Sequence, residues 1–183
     1  LASDDGTSVV TAADELGNAV VVVHSNSFPR FGSGVVWDNG LVLNNRPGRG
    51  FDAAAPAGTR HAAAGGKVPP TTLHAWALLD AASTTFGATP GGVNQLVWNS
   101  QTLASLLAGT TPEHVVTEPR WAVDDQGAYS AEAGVQLAAA GGPVQSVAPL
   151  GLRSVQQLLR IDGEGRVTAC ADPRAGGSAM ALL

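Results

Sequence analysis

Two adjacent β-rich segments near the start of the chain constrain its fold more than any other feature. Residues 9–13 and 19–25 flank a cluster of turn formers, Asp14-Glu15-Leu16-Gly17-Asn18. Strand, turn and strand in this order are typical of an antiparallel hairpin. The second arm contains Val20-Val21-Val22-Val23, an apolar run without alternation, which indicates burial on both faces. We therefore predict a layered fold in which other elements cover this sheet on each side.

The remaining strands are separated by one long irregular region. Residues 44–70 hold much of the proline and glycine, and they predict a loop of the length that often carries function in compact domains. The turn Asp38-Asn39-Gly40 separates two very short strands before this loop. Strands are predicted at residues 35–37, 41–43, 73–79, 84–89, 155–161 and 166–171, the last two forming a closing hairpin.

Helical periodicity begins at Val93, after the strand that ends at Thr89. Gly109 is placed to terminate this first helix. A second, short helix is predicted from Pro112 with Thr111 as its N-cap, and a third from residue 130 to residue 140. The order of strands, helices and strands predicts an α+β sandwich of antiparallel sheet with helical cover. The apolar residues expected on the buried face of the first helix are Leu96, Val97, Leu103, Leu106 and Leu107.

Composition limits the classes of function. The chain has 183 residues, which suits one domain, and its formal net charge of −5 with scattered arginines argues against a nucleic-acid partner. Cys170 is the only cysteine, so an internal disulfide and a cysteine-based zinc site are excluded. The four histidines share no metal-like spacing, and neither a metal nor a cofactor is predicted. No apolar run approaches the length of a membrane span and no signal-peptide pattern is present, so no membrane association is expected.

Two short stretches carry the chemistry that this sequence offers. Thr7 places a hydroxyl at the head of the first strand, and Gly91-Gly92, after Pro90, stand at the head of the first helix. Backbone amides at a helix start can hold an anion without side-chain obstruction. Either stretch has an ordinary reading as well, since threonine is common at strand ends and a glycine pair is common in a strand-to-helix turn.

Six ordered motifs resemble the small subunit of γ-glutamyltranspeptidases. The resemblance spans nearly the whole chain and implies an N-terminal-nucleophile (Ntn) hydrolase, with a four-layer αββα body shared by a large and a small subunit cut from one precursor. It implies that Thr7, ten positions before Gly17, is the nucleophile exposed by self-cleavage. Residues 1–6 are then a pre-nucleophile segment, and residues 7–183 are the small subunit. The motifs are Gly17-Asn18-Ala19-Val20, Phe31-Gly32-Ser33-Gly34, Leu43-Asn44-Asn45, Pro90-Gly91-Gly92, Glu118-Pro119-Arg120-Trp121 and Ala171-Asp172-Pro173-Arg174.

The resemblance also implies roles for other residues. Gly91 and Gly92 correspond to the donors that hold the oxyanion, and Thr71 and Thr72, after Pro70, to the hydroxyl pair that binds the substrate carboxylate. The family's second-strand residues that assist processing and substrate binding fall within Ser25, Asn26 and Ser27. Which of the three corresponds to each family residue is left open. A free α-amino group on Thr7, whose pKa lies near 8, would accept the hydroxyl proton.

Two departures from the family pattern bear on this reading. Leu1 to Gly6 precede Thr7 in the chain as written, so Thr7 gains a free amine only if they are removed. The family also places an aspartate before the phenylalanine of the Asn-Asn segment, where it holds the donor's α-amino group. Here the segment carries Arg46 and Arg49, and the nearest acid, Asp52, follows Phe51. Guanidinium groups suit a carboxylate-rich substrate and repel an ammonium group.

The departures favour an atypical member. The pattern resembles the γ-glutamyltransferase-like proteins of actinobacterial antibiotic pathways, which implies cleavage of an amide or an activated carbon-carbon bond in a 4-alkylproline-type precursor. A conventional γ-glutamyltransferase or glutathione hydrolase, and an unprocessed non-catalytic member, are the alternatives. The first reading implies a cytoplasmic protein and the second a periplasmic or secreted one. All three imply a large subunit as partner, and the two enzymatic readings also imply a small-molecule substrate.

Overall fold

The structure is a computed structural model that describes residues 6–27, 32–124, 126–137 and 141–181. Its strands in chain order are β1 (Thr7–Ala13), β2 (Ala19–Ser25), β3 (Ala75–Leu79), β4 (Ser83–Ala88), β5 (Trp121–Val123), β6 (Tyr129–Glu132), β7 (Val144–Val147), β8 (Gln157–Asp162) and β9 (Val167–Ala171). Its helices are α1 (Pro47–Gly50), α2 (Asn94–Leu107) and α3 (Pro112–Val115), and a single 3-10 turn spans Pro173–Ala175.

The predicted first hairpin is present. β1 pairs with β2 antiparallel, with Thr7 opposite Ser25 and Ala13 opposite Ala19. The Asp14 carboxylate closes the turn by accepting the backbone amides of Leu16 and Asn18 at 3.0 and 2.9 Å. This side chain satisfies amides that a tight turn leaves without partners.

The prediction that this hairpin is buried on both faces is wrong for the described chain. Burial alternates along both strands, and Val10, Val20 and Val22 on the outer face are 47–58% exposed. The inner face packs on the four-stranded sheet, chiefly on β8 and β4. No described element covers the outer face.

A four-stranded antiparallel sheet in the order β3-β4-β8-β9 forms the centre of the molecule. It confirms the strands predicted at residues 73–79 and 84–89 and the closing hairpin. α2 and α3 also contact this sheet, and a small core of buried apolar side chains joins α3 to β8 and β9. Burial raises the pKa of the Cys170 thiol to about 11, so this cysteine acts as a small apolar core residue. The core consists of Val115, Val116, Leu158 and Cys170, with Trp76 and Leu106 packed against it.

The first predicted helix is present, but its buried face is not the predicted one. α2 buries Gln95, Trp98, Asn99 and Thr102, whereas Leu96 and Leu107 are 57% and 73% exposed. The polar side chains are buried because they bind backbone groups of neighbouring segments. The Gln95 carboxamide, for example, accepts the backbone amide of His74 at 3.2 Å, and the Asn99 carboxamide donates to the His74 carbonyl at 3.3 Å. Apolar periodicity cannot predict a helix face that buries polar side chains.

The third predicted helix, at residues 130–140, is wrong where the structure describes it. Residues 129–132 form β6, which pairs antiparallel with β5 and parallel with β7. Gly134, whose φ of +99° does not fit a right-handed helix, then ends the strand. Neither β5 nor β7 was predicted, and residues 138–140 of the predicted helix lie outside the described residues.

A buried ion network fastens β6 to the C-terminal 3-10 turn. The Arg174 guanidinium donates to Glu132 at 2.7 Å and to Asp172 at 2.9 Å, and all three side chains are at most 1% exposed. Burial opposes ionisation of Glu132, but Arg174 and two backbone amides hold the pKa of this carboxyl below its usual value. Burial also lowers the pKa of the neighbouring Arg120 to about 10. Residues of two sequence motifs, Glu118-Pro119-Arg120-Trp121 and Ala171-Asp172-Pro173-Arg174, thus meet in one structural cluster.

The predicted loop at residues 44–70 is largely irregular and contains only the one-turn helix α1. The short strands predicted before it reduce to a single bridge between Val36 and Val42. Within the described ranges, no helix is long and apolar enough to cross a membrane. Across those same ranges, no three histidine, cysteine or acidic side chains are grouped as a metal site would require.

Candidate active site

Thr7 lies at the first position of β1, directly opposite Ser25 at the last position of β2. The Thr7 hydroxyl donates to Ser25 Oγ over 2.9 Å. Ser25 Oγ also accepts the backbone amide of Ser27 at 3.0 Å. The hairpin register therefore brings the predicted nucleophile against one residue of the predicted Ser25-Asn26-Ser27 group.

Arg46 joins this hydroxyl pair to the predicted carboxylate-binding segment. Its Nη2 donates to Ser25 Oγ at 3.2 Å and its Nη1 to Thr72 Oγ1 at 3.3 Å. The guanidinium therefore bridges the end of β2 and the segment before β3. The neighbouring Thr71 Oγ1 accepts the backbone amide of Leu73 at 3.1 Å, which shapes a local turn.

The backbone after Ser25 is unusual. Ser27 has a φ of +67°, which is uncommon for a residue with a side chain, and it is only 3% exposed. Among the described residues, no group hydrogen-bonds the buried Ser27 Oγ. Strained backbone and a buried polar atom without a partner both concentrate at functional sites.

Asn26 ties together the chain on both sides of the site. Its backbone amide donates to the Gly6 carbonyl at 3.1 Å, and its carbonyl accepts the Asn45 amide at 3.2 Å. The first contact continues the β1-β2 ladder by one residue and fixes the carbonyl of the Gly6-Thr7 peptide bond. The second brings the Asn44-Asn45 segment, and with it Arg46, up to the end of β2.

A cavity of about 260 Å³ lies beside Thr7 and reaches Pro90. Pro90 directly precedes the glycine pair, but neither Gly91 nor Gly92 is among the residues that line this cavity. The closing hairpin and the 3-10 turn supply much of the remaining wall. The full lining is Thr7, Ser8, Val9, Pro90, Val155, Gln157 and Ala175.

Gly91 and Gly92 form a turn that only glycine accommodates well. Their φ values are +128° and +56°, and a Cβ on Gly91 would collide with the Trp98 ring. Trp98 is itself held by its indole Nε1, which donates to the Trp121 carbonyl at 2.9 Å. Within the described part of the chain, no hydrogen bond uses the backbone amide of either glycine. Amides without a partner at a helix start are groups that can bind an anion.

Not every predicted residue joins this site. The Arg49 side chain lies outside what the structure describes, although its backbone belongs to α1. The Asp52 carboxylate accepts the Ala54 amide at 2.8 Å and so closes a turn within the loop. Sequence reasoning missed Val155, Gln157 and Ala175, because nothing in their local pattern distinguishes them from ordinary strand and turn residues.

Comparison with known proteins supplies the family. The family model described as gamma-glutamyltranspeptidase matches residues 1–182. The chain belongs to the γ-glutamyltranspeptidase family. Members of this family are Ntn hydrolases, enzymes that are processed from one precursor into heterodimers, and the predicted resemblance and fold class are thereby confirmed. A comparison with curated protein sequences gave no significant match.

Solved structures agree on the fold. The γ-glutamyltranspeptidase of Pseudomonas nitroreducens, complexed with L-DON, is 20% identical, with a TM-score of 0.73 over 96% of this chain and 99% of that one. The Bacillus anthracis transpeptidase CapD is 19% identical, with a TM-score of 0.69 over 96% and 100% of the two chains. A structure of LmbA is 19% identical, with a TM-score of 0.77 over 95% of this chain and 33% of that one.

Proposed function

We propose that this family member is an atypical γ-glutamyltransferase-like enzyme that cleaves an amide or an activated carbon-carbon bond through an acyl-enzyme on Thr7. The observation that carries the proposal is Arg46, whose guanidinium bridges Ser25, the partner of Thr7, and Thr72. A fixed cation next to the nucleophile selects the charge of the group that binds there.

The charge of Arg46 argues against an ordinary γ-glutamyl donor. Such a donor carries an α-ammonium group, which the family holds with an aspartate that this chain lacks before Phe51. Two like charges about 4 Å apart near a protein surface repel by about 4 kcal/mol. A carboxylate beside the reacting carbonyl, as in an oxalyl group, would instead be attracted and held by the guanidinium.

Self-cleavage prepares the nucleophile in this proposal. Residues 1–6 are the pre-nucleophile segment, and residues 7–183 are the small subunit that pairs with a large subunit from the same precursor. Thr7 Oγ1 attacks the Gly6 carbonyl carbon, the Gly6-Thr7 carbon-nitrogen bond breaks as the nitrogen takes a proton, and water hydrolyses the resulting ester. The Asn26 amide, which already donates to the Gly6 carbonyl oxygen, favours this attack by stabilising negative charge on that oxygen.

In turnover, the freed α-amine of Thr7 takes the proton of its own hydroxyl. Before this transfer, Ser25 Oγ accepts the Thr7 hydroxyl and is itself held by Ser27 N–H and Arg46, so Thr7 Oγ1 is fixed in position. Thr7 Oγ1 then forms a bond to the substrate carbonyl carbon. The bond from that carbon to the leaving group breaks, and the leaving nitrogen or enamine-like carbon takes the proton from the Thr7 ammonium. Water releases the acyl group from the ester.

The glycine turn would hold the oxyanion, and its geometry makes a prediction. We expect Gly91→Ala to lower the turnover rate by about 100-fold or more, because the new Cβ displaces Trp98 and with it the two donors. Gly92→Ala is the matched control, since its Cβ would enter open space and only the positive φ is strained. Steady-state rates of the two processed variants decide the matter. Equal losses in both would contradict a role for the Trp98 contact.

Conventional γ-glutamyl transfer is the second candidate function, and the family match favours it. Antibiotic biosynthesis, and with it a 4-alkylproline-type precursor, remains part of the first proposal only.

A donor comparison tests the proposed function. We expect the processed wild-type heterodimer to bind oxalate but not its neutral analogue oxamide, and to release amine only slowly from a γ-glutamyl anilide. Arg46→Gln should weaken oxalate binding at least about tenfold, since a charge-assisted contact is replaced by a neutral one. Arg60→Gln, in the same loop but exposed, is the control and should change neither value. Rapid anilide turnover without oxalate binding would establish the conventional function instead.

A further inference from the structure

We infer that Gln95 and Asn99 of α2 are positioning residues, which hold the carboxylate-binding segment in register with the glycine turn. They lie one helical turn apart on one face of α2 and are 0% and 2% exposed. The inference rests on the proposed function, because it assigns these residues to the same site.

The two carboxamides clamp a single residue of the chain. Gln95 Oε1 accepts the backbone amide of His74 at 3.2 Å, and Asn99 Nδ2 donates to the His74 carbonyl at 3.3 Å. His74 lies just before β3 and two residues after Thr72. The segment that presents Thr71 and Thr72 is therefore attached at its end to α2.

The same helix turn begins at the glycine pair. The Gln95 amide donates to the Gly92 carbonyl at 3.3 Å, so Gln95 is fixed to the turn by its backbone and to His74 by its side chain. One residue thus sets the separation between the amides of Gly91 and Gly92 and the Arg46-Thr72 pair. Oxyanion donors and a carboxylate anchor must lie at a fixed separation, because they bind adjacent carbons of one substrate.

Asn99 extends the connection to a segment that lines the cavity beside Thr7. Its Oδ1 accepts Gln156 Nε2 at 3.2 Å, and Gln156 is completely buried between Val155 and Gln157, which both line the cavity. Val155 in turn donates its amide to Thr89 Oγ1 at 3.0 Å, directly before Pro90. A connected set of buried polar groups therefore links the His74 segment to residues that line the cavity.

The helix also offers a matched control. Gln101 clamps the backbone of Trp121 in the same way, accepting its amide at 3.2 Å and donating to its carbonyl at 3.0 Å. This clamp holds β5, which does not line the cavity. The Trp121 carbonyl also keeps a second donor, Trp98 Nε1, when Gln101 is replaced. A purely structural role for amide clamps predicts the same effect at Gln95 and Gln101.

Oxalate binding to the processed heterodimer, measured by calorimetry, tests the inference. We expect Gln95→Met to raise the Kd for oxalate at least tenfold and Gln101→Met to change it less than twofold. Gln95→Glu should bind oxalate within threefold of the wild type, because its carboxyl group stays protonated when buried and keeps the accepting oxygen, while the Gln95 Nε2 that it loses has no partner among the described residues. Asn99→Leu is the second variant and should match Gln95→Met. Equal effects of Gln95→Met and Gln101→Met would overturn the inference.

Failure of the proposed function gives a different result. If the wild type binds no oxalate and turns over a γ-glutamyl anilide, the proposal that Arg46 binds a carboxylate beside the reacting carbonyl fails. Gln95 and Asn99 would still hold the Thr71-Thr72 segment, which then binds the donor carboxylate. Gln95→Met should then raise the KM for the anilide at least tenfold and change kcat less than threefold, with Gln101→Met unchanged in both. Equal KM values for the two variants would overturn the inference in this case as well.

Discussion

Replacing Thr7 with alanine is expected to stop both self-cleavage and turnover. The proposed mechanism has no second nucleophile, and loss of a nucleophile that acts as part of a unit costs about 10⁴-fold or more in rate. The Thr7→Ala precursor should remain a single chain on a denaturing gel. Its turnover should fall to the background of a reaction without enzyme.

Two further variants distinguish the role of the Thr7 hydroxyl from a general effect of changing β1. Thr7→Ser keeps a hydroxyl opposite Ser25 and should still self-cleave, though more slowly than the wild type. Thr11→Ala removes a hydroxyl from the same strand at a position that does not line the cavity beside Thr7, and it should process normally. A Thr7→Ala protein that cuts itself and turns over like the wild type would rule out the mechanism.

Replacing Arg174 with methionine is expected to cause the largest loss of stability. The change leaves the Glu132 and Asp172 carboxyl groups buried without their common partner, and Arg174 also donates to the carbonyls of Val116 and Glu118. Removing one partner of a buried ion pair costs about 3–5 kcal/mol. Chemical denaturation of the heterodimer should show this decrease in the free energy of unfolding. Because Ala175 lines the cavity, activity should fall as well.

Arg166→Met is the matched control for this prediction. Arg166 also pairs with an acid at 2.9 Å, but its side chain is 75% exposed and its partner Asp162 is 28% exposed. Surface pairs of this kind contribute about 0–1 kcal/mol. If Arg174→Met lowered the free energy of unfolding no more than Arg166→Met, the buried ion network would not stabilise the fold as proposed.

Local patterns predicted the parts of the fold that local interactions specify. The first hairpin follows from β-rich arms and an Asp14 turn whose hydrogen bonds span four residues. The β3-β4 and β8-β9 hairpins follow in the same way, since each pairs neighbouring strands across a short turn. The existence of α2 was predictable from its apolar periodicity and from Gly109. Its buried face was not, because the side-chain amides of Gln95 and Asn99 are buried against partners that are distant in sequence.

Non-local pairing explains the remaining failures. β6 was predicted as helix because its strand partners, β5 and β7, are too short to be recognised as strands from the sequence. Its pairing with β7 is parallel, so no hairpin turn marks it. The site shows the same division. Thr7 and the glycine pair were identified from the sequence, whereas the contact of Arg46 with both Ser25 and Thr72 spans 21 and 26 residues and emerges only from the fold.

The mature end of the small subunit tests the central claim most directly. The processed heterodimer should be analysed by N-terminal sequencing and intact mass of its smaller chain. The proposed mechanism predicts a chain that begins Thr7-Ser8-Val9-Val10, with no trace of residues 1–6. A fully active protein whose small chain retains Leu1 to Gly6 would contradict it, because Thr7 would then lack the free amine that its chemistry requires.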